Sequence, residues 1–222
     1  GVYHRDIKPG NILIRNKVAK ISDFGFAVSP NLIITGGMYR THASPELLSC
    51  NSINDLNASV LKSSDIYAMG VTFYRLLNNH TSDDFWKSAN SGKLSLEEKI
   101  QKGKFPNRSM SAYAPHIPAK IRRIANISMH LDVTKRYSNC HLFRQALEKL
   151  KYWIDWSKTN DEEWCGYSKN DKYDICLNKG RFRWKVNFFK NGRRMTKICN
   201  TYDDREEAIQ YFYETISSTT VR

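Results

Sequence analysis

The chain carries the motif His4-Arg5-Asp6-Ile7-Lys8-Pro9-Gly10-Asn11 near its start, and Asp23-Phe24-Gly25 follows, with Asp23 twelve positions after Asn11. Between the two motifs, the runs from Asn11 to Arg15 and from Val18 to Ser22 contain β-branched and apolar residues that favour two short strands. The spacing therefore places two polar motifs at the ends of a short β-like segment.

Three more features follow in order along the chain. They are Ser44-Pro45-Glu46, Asp65-Ile66-Tyr67-Ala68-Met69-Gly70 and Arg136. The ordered set resembles the catalytic loop, the magnesium-binding loop and the later signature residues of eukaryotic-type protein serine/threonine kinases. The resemblance covers about residues 1–156 and implies the carboxy-terminal catalytic lobe of that family.

The resemblance implies roles for the polar residues of the first two motifs. Asp6 and Lys8 are the implied catalytic residues, Asp6 for the substrate hydroxyl and Lys8 for the transferring phosphate. Asn11 and Asp23 are implied to hold Mg²⁺, a hard cation that prefers carboxylate and carbonyl oxygens, and to bind ATP together with Leu13 under the adenine. A lysine two positions after the aspartate is typical of serine/threonine kinases. We therefore expect transfer of the γ-phosphoryl group of MgATP to serine or threonine hydroxyls of protein substrates.

A second group of residues is implied to support the site. His4 is expected to pack on Phe24, and Asp65 is expected to anchor the catalytic loop through hydrogen bonds. Glu46 and Arg136 are expected to form an ion pair that is costly to break singly, because the remaining charge is left buried. The supporting set is His4, Arg5, Phe24, Gly25, Glu46, Asp65 and Arg136.

Arg5, directly before Asp6, is typical of kinases whose activation loop is ordered by phosphorylation, since a phosphate can bridge to such an arginine. Ser29 and Thr35 are the candidate phosphorylation sites, with ordinary solvated loop hydroxyls as the alternative.

The kinase resemblance lacks its amino-terminal half. A complete kinase also carries a G-x-G-x-x-G turn, a lysine in the third strand and a glutamate that pairs with it, and we find none of these in the 222 residues. Because the chain begins at Gly1 without an initiator Met, we expect a piece of a longer protein. Three interpretations stay open: a fragment of an active kinase, an inactive pseudokinase that serves as a scaffold, and a half completed by another chain. The intact polar set favours the first, although the isolated chain is expected to be weakly active or inactive.

Composition places the chain among ordinary globular proteins, with 41% hydrophobic and 26% charged residues. The longest largely apolar run, Ile66 to Tyr74, is shorter than the roughly 20 residues of a membrane helix, so no membrane association is expected. Five cysteines without a C-x-x-C pair indicate a reduced cytoplasmic or nuclear protein. The net charge of +13 favours acidic partners and says nothing about oligomeric state.

Helical periodicity dominates the middle of the chain and predicts a mainly α fold with short β hairpins for residues 1–156. The predicted helices are Asp65 to Asn78, Ser95 to Gln101, Pro118 to Leu131 and His141 to Trp156. The polar residues 157–164 are predicted to be a linker. Residues 165–222 are predicted to form a small basic α+β domain of three antiparallel strands and one helix.

The predicted second domain alternates apolar and polar residues along a strand from Arg181 to Phe189, and Asn191-Gly192 is a strong hairpin turn signal. A helix from Asp204 to Ile216 carries an apolar stripe that can cover the sheet. Residues 165–217 resemble the DNA-binding domains of plant ethylene-response factors and of integrase arms, which implies DNA as a partner. The implied DNA contacts are Arg181, Arg183, Lys185, Arg193 and Arg194. The alternative is a small basic domain whose arginines are merely solvated.

Overall fold

The computed structural model describes residues 2–27, 40–50 and 58–221. They divide into two compact units. The first unit comprises Gly1–Tyr113 and Ile121–Leu147, and the second unit comprises Ala114–Lys120 and Glu148–Arg222.

The first unit begins with a β hairpin and continues with helices. Strands β1 (Ile12–Arg15) and β2 (Val18–Ile21) pair antiparallel across a turn in which Asn16 and Lys17 both have positive φ. The helices are α1 (Pro45–Leu48), α2 (Ala58–Leu77), α3 (Ser82–Asn90), α4 (Leu96–Gln101), α5 (Ala119–Ser128) and α6 (Cys140–Glu148). The first two residues of α5 and the last residue of α6 belong to the second unit. Side-chain caps fix two of the starts: Thr81 accepts a hydrogen bond from the N–H of Asp84, and Ser95 forms a capping box with Glu98.

The core of the first unit forms around α2. Tyr67, Val71 and Tyr74 lie on one face of this helix and are 4% exposed or less. They pack with residues of α3 and α4, including Phe85 and Ile100. Burial of this stripe, at about 25 cal/mol per Å² of apolar surface, fixes the helix that carries Asp65.

The second unit is an antiparallel sheet with one helix. Its strands are β3 (Asp155–Asn160), β4 (Glu163–Ser168), β5 (Asp171–Lys179), β6 (Trp184–Lys190), β7 (Arg193–Arg194) and β8 (Asn200–Tyr202), followed by helix α7 (Arg205–Thr220). The order is β3-β4-β5-β6, and both β7 and β8 pair with β6. Asp204 caps α7 by accepting hydrogen bonds from the N–H groups of Glu206 and Glu207.

The core of the second unit lies between the sheet and α7. Alternate residues of β5 and β6 point to this side and are nearly inaccessible to solvent. They pack with the apolar stripe of α7. The fully buried members are Ile175, Leu177, Val186, Phe188, Ala208, Phe212 and Ile216.

The predicted fold class is wrong, because the described residues form a two-stranded sheet and a six-stranded antiparallel sheet rather than a mainly α fold with three further strands. The predicted linker is also wrong: residues 157–164 lie in the β3–β4 hairpin. The helix predicted to reach Trp156 ends at Glu148, since Ile154 is buried in the second core and its N–H donates to the carbonyl of Thr219. Strand β6 begins at Trp184, so Phe182 is 81% exposed rather than packed.

The helix predicted near the end of the chain is confirmed, and Ala208, Phe212 and Ile216 of its stripe are buried as expected. Among the described residues, no helix combines the length and apolar character needed to cross a membrane.

Candidate active site

The Asp6 carboxylate lies at the centre of a set of short polar contacts and is 3% exposed. Its Oδ2 accepts hydrogen bonds from Lys8 Nζ at 2.7 Å and from Asn11 Nδ2 at 2.9 Å. Asn11 Nδ2 also donates to the carbonyl oxygen of Asp6 at 2.8 Å. A single 3₁₀ turn over Pro9–Asn11 brings the amide back to the aspartate, and Pro9 at its first position has no N–H that would need a partner there.

The other carboxylate oxygen of Asp6 has a different environment. Oδ1 is buried and has no hydrogen-bond partner among the described residues. An unpaired buried acceptor costs about 1–3 kcal/mol, so folded proteins keep few of them. Asp6 therefore carries one oxygen that two donors hold and one buried oxygen whose acceptor capacity no described residue uses.

The backbone around Asp6 is held by α2. Asp65 Oδ2 and Oδ1 accept hydrogen bonds from the N–H groups of His4 and Arg5, both at 2.8 Å. Two turns further along the helix, the Thr72 hydroxyl donates to the carbonyl of Ile7 at 3.4 Å. Arg5 has a φ of 66°, a strained value for a non-glycine residue, and the bond from its N–H to Asp65 holds it there.

Asp23 is connected to this loop through the residue before it. Ser22 donates from its N–H and its hydroxyl to the carbonyl of Asn11, at 2.8 and 3.1 Å. His4 Nε2 lies 3.1 Å from the carbonyl of Ser22, and the His4 ring lies 4.8 Å from that of Phe24. Ser22, the neighbour of Asp23, therefore belongs to one hydrogen-bonded unit with Asn11 and Asp6.

Asp23 is exposed, and its backbone has a left-handed conformation with a φ of 60°. Its Oδ1 accepts a hydrogen bond from the N–H of Gly25 at 3.3 Å. Leu13, expected under the adenine, is 58% exposed on β1, and Phe24 is exposed to the same extent. Both apolar side chains thus lie on an accessible surface beside the polar cluster.

The donor atoms present fit a magnesium ion. Both N–H bonds of the Asn11 amide group are directed to Asp6, which leaves its Oδ1 as an acceptor, and Asp23 supplies a carboxylate. Magnesium takes one or two such protein oxygens together with phosphate oxygens and waters. Within the part of the chain that the structure describes, no cluster of three or more His, Cys, Asp or Glu side chains could hold a metal ion.

The predicted ion pair between Glu46 and Arg136 is present. Arg136 NH1 and NH2 donate to Glu46 Oε1 and Oε2 at 2.7 and 2.8 Å, and the side chain of Arg136 is 1% exposed. The hydroxyl of Ser63 donates to the same carboxylate at 2.9 Å, a contact that sequence reasoning missed. Burial opposes ionisation of Glu46, but the hydrogen bonds and charge of Arg136 outweigh it, so its pKa lies below the ordinary value.

His42 is a second residue that sequence reasoning did not assign. It lines a small cavity together with Asp6 and Asp65, and it is 4% exposed. Burial, with the nearby charges of Arg75 and Lys8, lowers the pKa of His42 from 6.5 to about 3, which keeps the ring neutral. In the sequence, His42 stands three positions before Pro45, and nothing in that pattern distinguishes it from an ordinary loop residue. The candidate phosphorylation sites Ser29 and Thr35 lie outside the described residues.

The five basic residues predicted to contact DNA do not share one environment. Arg183 Nε pairs with Asp203 at 2.8 Å, and the Arg181 guanidinium lies 5.0 Å from the centroid of the Phe182 ring. Lys185 is exposed on β6, whereas Arg193 and Arg194 are exposed on β7, beyond the hairpin turn.

The protein kinase domain family matches residues 1–149, so the chain belongs to that family. The chain is 27% identical over 157 residues to a Corynebacterium efficiens protein named serine/threonine-protein kinases drp72, covering 68% of this chain and 27% of the relative. It is 34% identical over 111 residues to CBL-interacting protein kinase 1 of rice, Oryza sativa, covering 46% of this chain and 22% of the relative.

A third relative is the probable serine/threonine-protein kinase PknB of Lactococcus lactis, 27% identical over 143 residues, which are 63% of this chain and 21% of that protein. The chain thus spans between about a fifth and about a quarter of the length of these curated relatives. The resemblance of residues 165–217 to DNA-binding domains gains no support from the comparisons.

Proposed function

We propose that this chain is the carboxy-terminal catalytic part of a protein serine/threonine kinase, which transfers the γ-phosphoryl group of MgATP to hydroxyls of protein substrates. The Asp6 carboxylate carries the proposal: Lys8 and Asn11 hold Oδ2, while Oδ1 is buried without a partner among the described residues. The two donors on Oδ2 fix the orientation of the carboxylate, and Oδ1 keeps the capacity to accept a hydrogen bond from the hydroxyl of a serine or threonine.

Catalysis of phosphoryl transfer consists mostly of positioning and charge stabilisation. Asp6 Oδ1 would accept the hydrogen bond of the substrate hydroxyl and take its proton. The hydroxyl oxygen forms its bond to the γ-phosphorus as the bond between that phosphorus and the β–γ bridging oxygen breaks, and ADP leaves. Lys8 Nζ, 2.7 Å from Asp6 Oδ2, would place a positive charge beside the transferring group.

The remaining site residues bind rather than react. Asn11 and Asp23 would hold Mg²⁺, which when bound neutralises charge on the phosphates of ATP. Leu13, exposed on β1, is the proposed apolar contact for the adenine.

Serine/threonine specificity is supported by the Asp6-Ile7-Lys8-Pro9 stretch and by the names of the relatives. Lys8 is held within hydrogen-bond distance of Asp6, so the same side chain can contact both the base and the phosphate. Selection among protein substrates would depend on parts of the surface other than these residues.

The experiment measures phosphotransfer from ATP to a serine- and threonine-rich protein in the complete gene product that contains this chain. We expect Asp6→Asn to lower kcat by at least about a hundredfold, since general-base catalysis contributes about 10² to 10⁴. The fold should remain intact, because asparagine occupies about the same volume as aspartate. The affinity for MgATP should stay within about twofold of that of the unmodified protein, because the lost contact is made to the protein substrate and not to the nucleotide.

Asp83→Asn is the matched control, since Asp83 is exposed on α3 and outside the site. It should leave kcat unchanged. Phosphotransfer that survives Asp6→Asn would overturn the proposal. A gene product that binds MgATP but transfers no phosphate would instead support the pseudokinase scaffold. Phosphate transferred only to tyrosine residues would overturn the serine/threonine assignment.

A further inference from the structure

Two adjoining cavities in the second unit, of about 610 and 370 Å³, share Lys190 and Met195 in their walls. They open beside the β6–β7 turn and together form what we call the basic groove. Its cationic wall consists of Lys169, Lys190, Arg193, Arg194 and Lys197.

The floor of the basic groove is apolar. Tyr173 and Phe188, from β5 and β6, are buried beneath it, and their rings lie 5.9 Å apart. Met195 and Ile198 pack partly buried against the same core. The groove therefore offers an apolar surface next to a row of cations.

Three cations of this groove differ from two cations elsewhere in the same basic run. Lys179 lies over the Trp184 ring at 5.8 Å, and Arg183 is paired with Asp203. By contrast, Arg193, Arg194 and Lys197 have no ion pair or ring contact among the described residues. These three cations of the groove therefore remain available to an anion, whereas Lys179 and Arg183 are engaged internally.

The strand register brings two cations of the groove together. Lys190 stands directly opposite Arg193 in the β6–β7 pair, and like charges in opposite positions destabilise a sheet. The carboxylate of the groove, Asp171, is engaged: it pairs with Lys190 Nζ at 2.7 Å and accepts from Asn191 Nδ2 at 2.9 Å. An anion would relieve the repulsion that remains.

The wall of the groove is also held in place before any ligand arrives. Asn191 and Gly192 have φ of 49° and 76°, the left-handed values that a tight hairpin turn requires. Asn191 ties this turn to β5, since its N–H donates to the carbonyl of Lys172 and its Oδ1 accepts from the N–H of Lys172, both at 2.8 Å. Little ordering is therefore needed on binding.

We propose that the basic groove binds a phosphorylated serine or threonine peptide, with its phosphate on Arg193 and Arg194 and a neighbouring apolar side chain over Met195. Arginine suits this ligand because its planar group binds phosphate oxygens in pairs. Arg193, Arg194 and Lys197 line one mouth, and such a compact cluster fits a single phosphate better than the extended backbone of a nucleic acid. The choice of phosphoserine or phosphothreonine rests on the proposed function, since these are the products of such a kinase.

The test is fluorescence anisotropy of the 222-residue chain with labelled peptides that carry a central phosphothreonine flanked by varied residues, and with their unphosphorylated counterparts. We expect the phosphorylated peptides to bind at least about tenfold more tightly, the effect of one strong charge-assisted contact. The double variant Arg193→Ala/Arg194→Ala should remove that preference. Arg193→Lys/Arg194→Lys keeps the net charge and should weaken binding as well, because lysine cannot form the paired contact.

Arg181→Ala/Lys185→Ala is the matched control, since it removes the same charge from the same run outside the groove. It should leave phosphopeptide affinity within about twofold, which corresponds to less than about 0.5 kcal/mol. Equal binding of both peptide forms, no binding, or a larger loss in the control than in the groove variant would overturn the proposal, as would tighter binding of a short DNA duplex. Because the peptides are phosphorylated synthetically, failure here would leave the proposed phosphotransfer standing, and the reverse holds too.

Discussion

Asp65 and Glu46 are two half-buried carboxylates of the first unit that differ in the donors they receive. Asp65 accepts two neutral backbone N–H groups, and burial outweighs them, so its pKa lies above the ordinary value. Glu46 accepts hydrogen bonds from the guanidinium of Arg136, and the pKa of Glu46 lies below the ordinary value despite burial. A formal charge on the donor therefore decides which carboxylate remains ionised as the pH falls.

This difference predicts how Glu46→Gln changes stability. The lowered pKa means that Glu46 stabilises the fold above its unfolded pKa of about 4.5, and that this contribution is lost as the pH falls through the lower folded value. We expect the substitution to lower the free energy of unfolding at pH 7 by about 3 kcal/mol, because it leaves the buried Arg136 charge unpaired. The variant should also lose less stability than the unmodified protein on going to acid pH.

Urea unfolding at neutral and acid pH measures both effects. Glu97→Gln is the control, since Glu97 pairs with the exposed Arg40 and exposed pairs contribute about 1 kcal/mol or less. Equal losses in the two variants at neutral pH would contradict the argument.

The sequence motifs predicted the pairing of Glu46 with Arg136. They also predicted the packing of His4 on Phe24, and the structure shows both contacts. The contact of Asn11 with Asp6 follows from a spacing that one turn can close. The roles of Ser22 and Ser63 did not follow, because a serine that bonds a carbonyl or a carboxylate distant in sequence has no local pattern. Such contacts depend on the fold as a whole.

Among the elements, α2 connects the core to the site. Its apolar face packs in the core, and Asp65 and Thr72 reach the catalytic loop from the same helix. The helix begins at Ala58, seven residues before the predicted start at Asp65, because the prediction relied on the motif and not on the residues before it. Packing of α2 against its neighbours should therefore matter for the whole unit.

Gly70 is the point of closest approach in that packing. A Cβ built on Gly70 would lie 2.6 Å from Ser128 Cβ and 3.2 Å from the Ser128 carbonyl carbon, which is backbone and cannot move aside cheaply. Alanine favours helices over glycine by about 1 kcal/mol, but overpacking costs about 1–3 kcal/mol. We expect Gly70→Ala to destabilise the protein by about 1–2 kcal/mol, measured by urea unfolding followed by circular dichroism.

Gly10→Ala makes the same chemical change where the new methyl group would meet nothing within 4 Å. It should shift the unfolding midpoint little. If Gly70→Ala were stabilising, the close approach between α2 and Ser128 would be wrong.

The strands of the second unit show why the fold class was predicted incorrectly. Strand β5 alternates buried Tyr173, Ile175 and Leu177 with more accessible residues, so the period-2 signal was present in the sequence. Strand β3 gave no such signal, because most of its residues are exposed. Its pairing with β4 depends on backbone hydrogen bonds, and a polar edge strand of this kind has the composition of a linker.

For the molecule as a whole, the family match and the structural units have different boundaries. The kinase match covers residues 1–149, but the second unit includes Ala114–Lys120 from within that range. The segment contributes His116, whose ring lies 4.9 Å from Trp164 and 6.3 Å from Tyr213. A boundary drawn from sequence similarity alone would remove part of the second unit.

His116→Ala tests this assignment. Of the five tryptophans, Trp86 belongs to the first unit and the other four to the second, so tryptophan fluorescence in a Trp86→Phe background reports on the second unit alone. Each aromatic contact contributes about 0.5–1.5 kcal/mol, and we therefore expect the His116 substitution to lower the stability reported by this signal by about 1–2 kcal/mol. His141→Ala, exposed on α6 of the first unit, is the control and should leave the fluorescence transition in place. If the fluorescence transition of His116→Ala were unchanged, residues 114–120 would not stabilise the second unit and their assignment to it would be wrong. A truncated protein beginning at residue 148 would then be expected to keep the full stability of the sheet.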